Sequence, residues 1–368
     1  MNKFILLTSF IVGATLLAPA TSQAKSKMTW GVNGPSVLEN NRDYLKAFAV
    51  MKQRGLTTYR INLNLTATTP DAANNLAEMI SGAKKYNIKL KPILFTAFQW
   101  EDSLGKSEGV PTRRKAIYDD AYARTYEVVQ RFRADITDWE MGNEIDLKTR
   151  FDNGNKDIGP PESWKAQTFN TPRMLDWASL LRGQSDAIVA VNKEFGTHLR
   201  SVLNVAQLQF GFLNFMIDQR VAFDVISYHY YEKLGTDMTA HWNGSEEKVN
   251  LFKVLASFHR PIIINETNCG EIYDRDYQNV PGGNLNTECL RSFNNILSAI
   301  ANQTDADIEG VEAYTLIDLP QQTSPIERRF GLMYDLDHPK LSLAILAQYS
   351  GGLVTQDESR ELAKLGIQ

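Results

Sequence analysis

Two carboxylates in the sequence each follow a run of strand-forming residues. Residues 139–144 read WEMGNE and end in Asn143 and Glu144, and residues 262–266 read IIINE and end in Glu266. An ionisable group directly after a buried strand is costly unless it has a partner or a chemical role. Two facing carboxyl groups can cleave a glycosidic bond by double displacement at about 5–5.5 Å, or by activating a water at roughly 6.5–9.5 Å. The pattern therefore favours glycosidic-bond chemistry.

The surrounding elements must bring these two carboxylates together. Strands are predicted over 29–32, 58–65, 88–95, 136–142, 199–206, 224–231, 261–265 and 310–316. Helices are predicted over 41–54, 71–86, 113–132 and 173–195, from 212 onward, and over 246–258, 285–302 and 339–349. Alternation of strands and helices predicts a parallel sheet covered on both faces. With eight βα units, we expect a single closed (β/α)₈ TIM barrel rather than an open, doubly wound sheet.

The predicted connections differ in length at the two ends of this barrel. Helix-to-strand connections such as Gly55-Leu56 are short, whereas four strand-to-helix connections are extended: 96–112, 145–172, 269–284 and 318–328. In a parallel barrel the extended ones all lie at the carboxyl ends of the strands. The loops on this face carry Trp100, Trp164, Trp242, Tyr273 and Tyr277. Aromatic rings beside polar groups suit sugars, so we expect an elongated carbohydrate-binding groove, although any one of these rings could be an ordinary loop aromatic.

The carboxylates and their neighbours resemble the catalytic residues of the clan A retaining glycoside hydrolases. The nearest patterns are those of families 5 and 39, and the Gly-Asn-Glu-Ile wording at Glu144 is also similar to family 53. The resemblance extends to Arg60 at the end of the second strand. It also includes His229-Tyr230-Tyr231, which matches a His-x-Tyr motif on the sixth strand. It covers the mature chain from the first strand to the last helix.

The resemblance implies a role for each carboxylate. Glu144 would act as general acid and then as general base, and Glu266 as nucleophile. An acid must hold its proton near neutral pH, and we expect burial or the nearby second carboxylate to raise the pKa of Glu144. The nucleophile must stay ionised, which the charge of Arg60 and the hydroxyl of Tyr231 would favour.

Two further roles concern the substrate. Asn143 would donate a hydrogen bond to the 2-hydroxyl of the sugar, a contact that strengthens in the transition state. His229 shares a strand face with Tyr231 and is therefore expected to point into the site.

Two positions depart from the family pattern. The usual histidine at the end of the third strand is missing, because residues 95–100 read FTAFQW, and Gln99 or Trp100 must fill that space. The eighth strand normally ends in a tryptophan beneath the cleaved sugar, whereas Tyr314 stands there in this chain. Both changes bear on the identity of the sugar more than on the reaction.

Several of these residues also have structural interpretations. Arg60 could form a structural ion pair, and His229 could be a satisfied core histidine. Glu140 is expected to fill an interior layer of the barrel. Three further acidic residues near the rim are reserve candidates for substrate contacts: Glu271, Glu312 and Asp318.

The first 24 residues have the features of an export signal. Lys3 supplies a positive start, residues 4–17 are apolar, and Ser22-Gln23-Ala24 provides small side chains for cleavage near Ala24. The apolar run is shorter than the roughly 20 residues that a membrane crossing needs. We therefore expect a periplasmic or secreted protein whose hydrolase domain spans 25–368.

Export also bears on the cysteines, Cys269 and Cys289. An oxidising compartment permits a disulfide between them, which we expect, the alternative being two unpaired thiols. In the chain-entropy model such a bridge stabilises by roughly 3 kcal/mol.

Composition excludes several other classes of protein. The net charge of −4 argues against a nucleic-acid partner. Among five histidines there is no His-x-His or His-Glu-x-x-His pattern, so we expect no metal. Neither a Gly-x-Ser-x-Gly elbow nor a phosphate-binding glycine loop is present. We expect no cofactor, no membrane span, and a monomer.

These observations predict an exported retaining β-glycosidase that hydrolyses a polysaccharide, expected to be endo-acting on a bacterial exopolysaccharide or another β-glycan. Two alternatives remain open. One is a catalytically inactive carbohydrate-binding barrel, and the other is a transglycosylase that uses the same carboxylate pair.

Overall fold

Eight parallel strands close into a barrel, as predicted. The computed structural model describes residues 28–35, 43–64, 70–95, 111–154, 156, 158–242, 244, 247–269, 287–324 and 327–367. The barrel strands are β1 (Thr29–Asn33), β2 (Thr58–Asn64), β3 (Lys89–Phe95), β4 (Asp138–Met141), β5 (Arg200–Ala206), β6 (Val225–His229), β7 (Ile262–Thr267) and β8 (Ile308–Ala313). Each strand pairs with the next along the chain, and β8 closes on β1. The single (β/α)₈ barrel expected from the sequence is therefore confirmed.

Helices surround the barrel on the outside. They are α1 (Tyr44–Gln53), α2 (Pro70–Tyr86), α3 (Pro111–Phe132), α4 (Pro172–Phe195), α5 (Phe210–Asp218), α6 (Leu251–Ala256), α7 (Thr287–Asn302), α8 (Leu341–Ser350) and α9 (Gln356–Lys364). Helix α4 shows how local sequence sets these bounds. Thr171 accepts a hydrogen bond from the Met174 N–H at its start, and Gly196 ends it with a φ of 64°. None of the helices within the described ranges is both long and apolar enough to cross a membrane.

Two parts of the chain differ from the predicted elements. The helix predicted to begin at Glu246 begins at Leu251, because Lys248–Val249 pairs with His241–Trp242 in a short antiparallel hairpin. This 241–249 hairpin follows β6 and therefore lies on the carboxyl face. Helix α9 was not expected, and a capping box at Thr355 and Glu358 starts it.

The apolar core lies mainly between the strands and the helices. Buried side chains such as Phe48, Trp139 and Phe252 belong to this continuous layer. Inside the barrel the apolar cluster is small and consists of Val202, Val225 and Ile263. Polar and charged side chains fill much of the remaining interior: Arg60, Glu140, Asn204, Ser227, Asn265 and Glu312. Because buried charges need partners, this interior must be organised by ion pairs and hydrogen bonds.

The disulfide expected from the sequence is present. Cys269 and Cys289 are bonded, with Cα atoms 5.2 Å apart. Cys269 lies just beyond the end of β7, and Cys289 lies in the first turn of α7. The bridge therefore ties the carboxyl end of β7 to the helix that follows it.

Candidate active site

The turn after β4 aims Glu144 into the mouth of the barrel. Gly142 has a φ of 76° and Glu144 a φ of 48°, so the chain turns sharply on both sides of Asn143. A Cβ atom at Gly142 would lie 2.9 Å from the Ile145 side chain, which leaves room only for glycine. The left-handed backbone is unfavourable at Glu144, a residue with a long side chain, so contacts elsewhere must hold it.

An irregularity in β7 brings two consecutive side chains to the interior. His229 on β6 pairs with Glu266, whereas the preceding residue Tyr228 pairs with Ile264, so Asn265 is an extra residue on β7. Successive side chains of a regular strand point to opposite faces. Because of this bulge, Asn265 and Glu266 both reach inward, Asn265 to Glu140 and Glu266 to Arg60.

The two carboxylates face each other across the mouth. One oxygen of Glu144, one oxygen of Glu266 and a ring nitrogen of His229 lie within 4.8 Å of one another. The Nδ1 atom of His229 lies 3.0 Å from Oε1 of Glu144 and 3.4 Å from Oε2 of Glu266. Oxygens this close fit the carboxyl separation of double displacement, about 5–5.5 Å, better than the roughly 6.5–9.5 Å of an inverting site.

Glu266 accepts a hydrogen bond on each oxygen. Arg60 Nη1 donates to Oε1 at 2.6 Å, and the Tyr231 hydroxyl donates to Oε2 at 2.9 Å. Both donors stabilise the ionised carboxylate. The predicted placement of Arg60, His229 and Tyr231 around Glu266 is what the structure has.

Arg60 uses all five of its N–H groups beneath the pocket. Its Nε and Nη2 donate to the two oxygens of Glu140 at 2.6 and 2.9 Å. The remaining donors reach Glu266, the Asn33 Oδ1 atom at 2.6 Å and the Asn143 Oδ1 atom at 2.7 Å. Burial alone would lower the pKa of Arg60, but Glu140 and Glu266 outweigh it and raise the pKa above its ordinary value. Since the Asn143 carbonyl accepts from Arg60, its amide N–H₂ is the group left to meet a substrate hydroxyl.

The protonation of Glu144 differs from the sequence-based expectation. Burial raises its pKa, but the hydrogen bond and charge of His229, with smaller effects from Lys233 and Arg60, outweigh burial and hold the pKa below its ordinary value of 4.5. Burial lowers the pKa of His229, yet Glu266 and Glu144 together raise it above 6.5. The expected raised pKa of Glu144 is therefore wrong, because the hydrogen bond and charge of His229 next to it favour the ionised carboxylate.

A cavity of about 230 Å³ opens above these groups. One side is aromatic: Phe330 stacks on Tyr231 with ring centroids 5.7 Å apart and meets Tyr314 edge to face at 5.8 Å. Asn268, just after β7, donates from Nδ2 to the backbone oxygens of both Tyr314 and Phe330. Polar side chains also line the cavity: Asn33, Asn62, Asn143 and Glu327. Aromatic rings together with hydrogen-bonding groups are suited to a sugar ring.

Some of the remaining predicted residues are described by the structure, and the others lie outside the described ranges. Trp242 lies in the 241–249 hairpin with 58% of its surface exposed and does not line the cavity, whereas Tyr314 does. Trp164 packs edge to face on Phe210 and does not line the cavity either. Trp100, Gln99, Glu271, Tyr273, Tyr277 and the export signal lie outside the described residues.

The reserve acidic residues have structural partners. Glu312 pairs with Lys91 at 2.6 Å inside the barrel, and Asp318 pairs with Lys340 at 2.6 Å. Glu140 is 3% exposed and takes the interior position expected of it.

Sequence reasoning missed several residues of the site, among them Asn62 on β2. Asn33, Asn268, Glu327 and Phe330 line the cavity or hold its wall. Asn33 ends β1 and Asn268 follows β7, so a polar residue at a strand end could have identified both. Glu327 and Phe330 come from the loop after β8, where no periodic pattern marks a side chain that folds back over the barrel.

The site offers ligand atoms that a cation could use, namely those of Glu144, His229 and Glu266. Donors already engage these atoms, however. Arg60 and Tyr231 occupy both oxygens of Glu266, and the cationic Arg60 would repel a metal ion at this distance. The donor set fits a shared proton better than a metal.

The protein is a closed parallel barrel with carboxylates at the ends of β4 and β7. Several solved structures have a similar fold. A family 39 glycoside hydrolase from the gut symbiont Bacteroides cellulosilyticus is 17% identical and has a TM-score of 0.60, covering 89% of this chain. The chain spans 64% of the length of that protein. A hyperthermophilic β-glucosidase from Pyrococcus furiosus is 12% identical, with a TM-score of 0.61 and coverage of 92% and 98% of the two chains.

The virulence factor SghA from Agrobacterium tumefaciens is similar in fold as well. It is 12% identical, has a TM-score of 0.59, and covers 89% of this chain and 97% of its own. No protein-family model and no curated protein matches the sequence. At these identities the likeness concerns the fold, which agrees with the resemblance drawn from the residues.

Proposed function

We propose that the protein is an exported retaining β-glycosidase that hydrolyses a polysaccharide without a cofactor. Glu144 is the acid and base, and Glu266 is the nucleophile. The observation that carries this proposal is the pair of carboxylates with oxygens within 4.8 Å of each other at the mouth of a closed barrel. The solved structures of similar fold include proteins named as a glycoside hydrolase and a β-glucosidase, which supports the same reaction class.

In the first step, a Glu266 oxygen attacks the anomeric carbon of the sugar. The bond to the leaving oxygen breaks, Glu144 gives that oxygen a proton, and a covalent glycosyl ester forms on Glu266. In the second step, Glu144 takes a proton from water, the resulting hydroxide attacks the anomeric carbon, and Glu266 leaves as a carboxylate. Each bond is accounted for by Glu144, Glu266 and water, and the proton that Glu144 donates comes from its hydrogen-bonded partner His229, to which it returns after the second step.

His229 supports the acid step. Its Nδ1 atom lies 3.0 Å from Oε1 of Glu144, and the raised pKa of the imidazole favours its protonated form. Besides the N–H that a neutral imidazole keeps, the two groups share one titratable proton, which Glu144 delivers to the leaving oxygen. The negative charge that remains on Glu144 is the base needed for the second step.

Action on a polymer is supported by features away from the reacting carboxylates. Trp242 presents an exposed ring on the hairpin that follows β6, on the same face as the cavity but outside it. Such a ring can stack on a sugar unit remote from the cleaved bond. We propose endo-action on a bacterial exopolysaccharide or another β-glycan, reached after export through the segment 1–24.

The test uses activated 2-deoxy-2-fluoro β-glycosides of several sugars. A retaining enzyme with this nucleophile accumulates a covalent adduct on Glu266, which peptide mass spectrometry locates. The Glu266→Ala variant should take up no label. Absence of adduct with every sugar, together with unchanged β-glycans after long incubation, would leave an inactive binding barrel as the better account.

The finer parts of the proposal need their own measurements. Product analysis with excess acceptor sugar separates a hydrolase from a transglycosylase, since the latter extends the acceptor. A rapid fall in polymer viscosity with few new reducing ends indicates endo-action. N-terminal sequencing of protein recovered outside the cytoplasm tests cleavage near Ala24.

A further inference from the structure

A chain of hydrogen bonds runs beneath the cavity from the Glu144 backbone to the Glu266 carboxylate. The Glu144 N–H donates to Asn204 Oδ1 at 2.7 Å, and Asn204 Nδ2 donates to Ser227 Oγ at 3.2 Å. The Ser227 hydroxyl donates to Glu140 Oε1 at 3.1 Å. Arg60 then joins the two carboxylates, because it donates to Glu140 and to Glu266.

The direction of every bond in this chain is fixed. Because a backbone N–H can only donate, the Asn204 oxygen must face Glu144 and its amide N–H₂ must face Ser227. The Ser227 hydroxyl accepts from Asn204 and is left to donate to Glu140. An ionised Glu140 only accepts, which suits its contacts with Ser227, Asn265 and Arg60. No alternative orientation satisfies all the members, so the chain is stiff.

The chain ends at Glu144, where the backbone is left-handed. Its φ of 48° is unfavourable for a residue with a long side chain. A second bond joins the same two elements, from the Ala206 N–H to Asp146 Oδ2 at 2.9 Å. Asn204 and Ala206 on β5 thus hold the turn on both sides of Ile145. Asn204 and Ser227 are buried and do not line the cavity, so neither has a substrate to contact.

We propose that Asn204 and Ser227 are positioning residues that set the distance between the acid/base and the nucleophile. This inference rests on the proposed roles of Glu144 and Glu266. Without the chain, the turn after β4 relaxes toward an ordinary backbone, and the Glu144 carboxylate moves away from the leaving oxygen. Displacement by about 1 Å costs roughly 100-fold in rate.

The kinetic test compares substrates with different leaving groups. The Asn204→Ala variant is expected to lose about 10–100-fold in kcat/KM for glycosides with poor leaving groups, which need the acid. With an activated dinitrophenyl glycoside, which needs no acid, the loss in kcat/KM should stay within about threefold. Azide should restore turnover of the activated substrate and yield a glycosyl azide, because a misplaced base limits the second step.

A second variant tests whether the residues act as one chain. Ser227→Ala keeps the bond between Asn204 and Glu144 but cuts the link to Glu140, and a smaller loss with the same leaving-group dependence is expected. The double variant should be little worse than Asn204→Ala alone, because members of one network are not additive. Additive losses would overturn the inference.

Asn192 provides a matched control at the opposite end of the barrel. Its Oδ1 accepts from the Leu199 N–H at 2.8 Å, an equivalent bond just before β5 begins. Asn192→Ala should lower the thermal midpoint as Asn204→Ala does, yet leave the leaving-group dependence unchanged. Equal behaviour of the two variants toward all substrates would reduce Asn204 to a stabilising residue and overturn the proposal.

Crystal structures of the variants test the positioning role without any substrate. In Asn204→Ala we expect the φ of Glu144 to leave the left-handed region and the carboxylate separation to widen relative to wild type. If that variant does not fold, Ser227→Ala serves instead, with a left-handed φ retained and a smaller widening of the carboxylate separation expected. Unchanged Glu144 geometry would refute the positioning role. If wild type itself forms no covalent adduct, the proposed function fails, and this comparison still decides whether the chain holds the turn.

Discussion

The Nδ1 atom of His229 lies 3.0 Å from Oε1 of Glu144. The imidazole is buried, and its pKa is raised above 6.5 because the charges of Glu266 and Glu144 outweigh burial. The same contact holds the pKa of Glu144 below 4.5 against the effect of burial. In the proposed mechanism, proton donation thus involves both residues, and the pH dependence of the reaction should report both.

Replacing His229 should move the alkaline limb of activity. In wild type the shared proton is lost as pH rises through the raised pKa of His229. In His229→Gln, Glu144 alone must hold the proton. The alkaline limb of kcat/KM is then expected at lower pH, since a carboxyl begins from 4.5 even when burial raises it. A pH–rate profile measures this shift.

His198 is the control for this change, because it is exposed and lies just before β5 at the far end of the barrel. His198→Gln should reproduce the wild-type profile. If the alkaline limb of His229→Gln coincides with wild type, the imidazole does not hold the proton.

Removal of each carboxylate should have a different kinetic signature. Glu266→Ala is expected to abolish turnover of every glycoside, because no covalent ester can form. Glu144→Ala should spare the first step for substrates with good leaving groups, so a burst of dinitrophenol precedes slow turnover. Stopped-flow absorbance records this burst. Equal residual activity of both variants on a natural glycan would contradict the assigned roles.

Arg60 and Glu140 should depend on each other for stability. Arg60→Met leaves the Glu140 carboxylate buried without its main partner, and we expect a loss of about 3–5 kcal/mol in the free energy of unfolding. Arg60→Met/Glu140→Met removes both charges and should regain part of that loss. Urea unfolding measures both quantities.

The double variant Arg60→Met/Glu140→Met should regain stability but not activity. Both variants lack the donor to Glu266 and should lose about 100-fold or more in kcat. Recovery of activity in the double variant would mean that Arg60 serves the fold alone.

Asp146 should make the protein less stable as pH rises. Burial raises its pKa to about 8 from an ordinary 3.8, and its Oδ1 has no hydrogen-bond partner among the described residues. Between about pH 4 and pH 8 the folded state keeps a proton that the unfolded chain releases, so this group lowers stability with rising pH. In Asp146→Asn this dependence is absent. The variant's stability relative to wild type should rise by about 1.4 kcal/mol per pH unit in that window.

Urea unfolding at several pH values checks this slope. Asp357→Asn is a suitable control, because the Asp357 side chain is 82% exposed and solvated in both states. Parallel curves for wild type and Asp146→Asn would show that Asp146 is ionised in the folded protein.

Trp242 should matter for polymers and not for small substrates. Because its ring is exposed outside the cavity, Trp242→Ala is expected to lower kcat/KM on a polysaccharide about tenfold, or about 1.4 kcal/mol, and to leave aryl glycosides unaffected. Val189 on the outer face of α4 is similarly exposed, and Val189→Ala serves as the control. Equal loss on both substrate types would place Trp242 in the reaction site itself.

The sequence was sufficient for the barrel and for the residues around Glu266. Buried parallel strands read as continuous apolar runs, so an ionisable residue at the end of such a run is easily noticed. Glu266 has this signal after Ile262–Ile264, whereas Glu144 is noticed through the Asn143-Glu144 pair that ends a strand already containing Asp138 and Glu140. Arg60 and His229 interrupt predicted strands in the same way, and the structure places both beside Glu266.

Other parts of the site had no such signal. Asn204 and Ser227 read as ordinary interior strand positions, and only the register of β5 and β6 brings them together. Phe330 reaches the cavity because Asn268 and the strand pairing near Met333 fold the loop back, which depends on contacts distant in sequence. The direction of the Glu144 pKa also depends on a distance to His229 that no spacing reveals.

The bridge between Cys269 and Cys289 begins three residues after Glu266. A thiol reductant that opens this buried bridge would therefore release the segment that directly follows the proposed nucleophile. Production in a reducing host compartment would leave that segment without its covalent tie to α7. Expression in an oxidising compartment and purification without dithiothreitol would thus preserve the disulfide next to the proposed nucleophile.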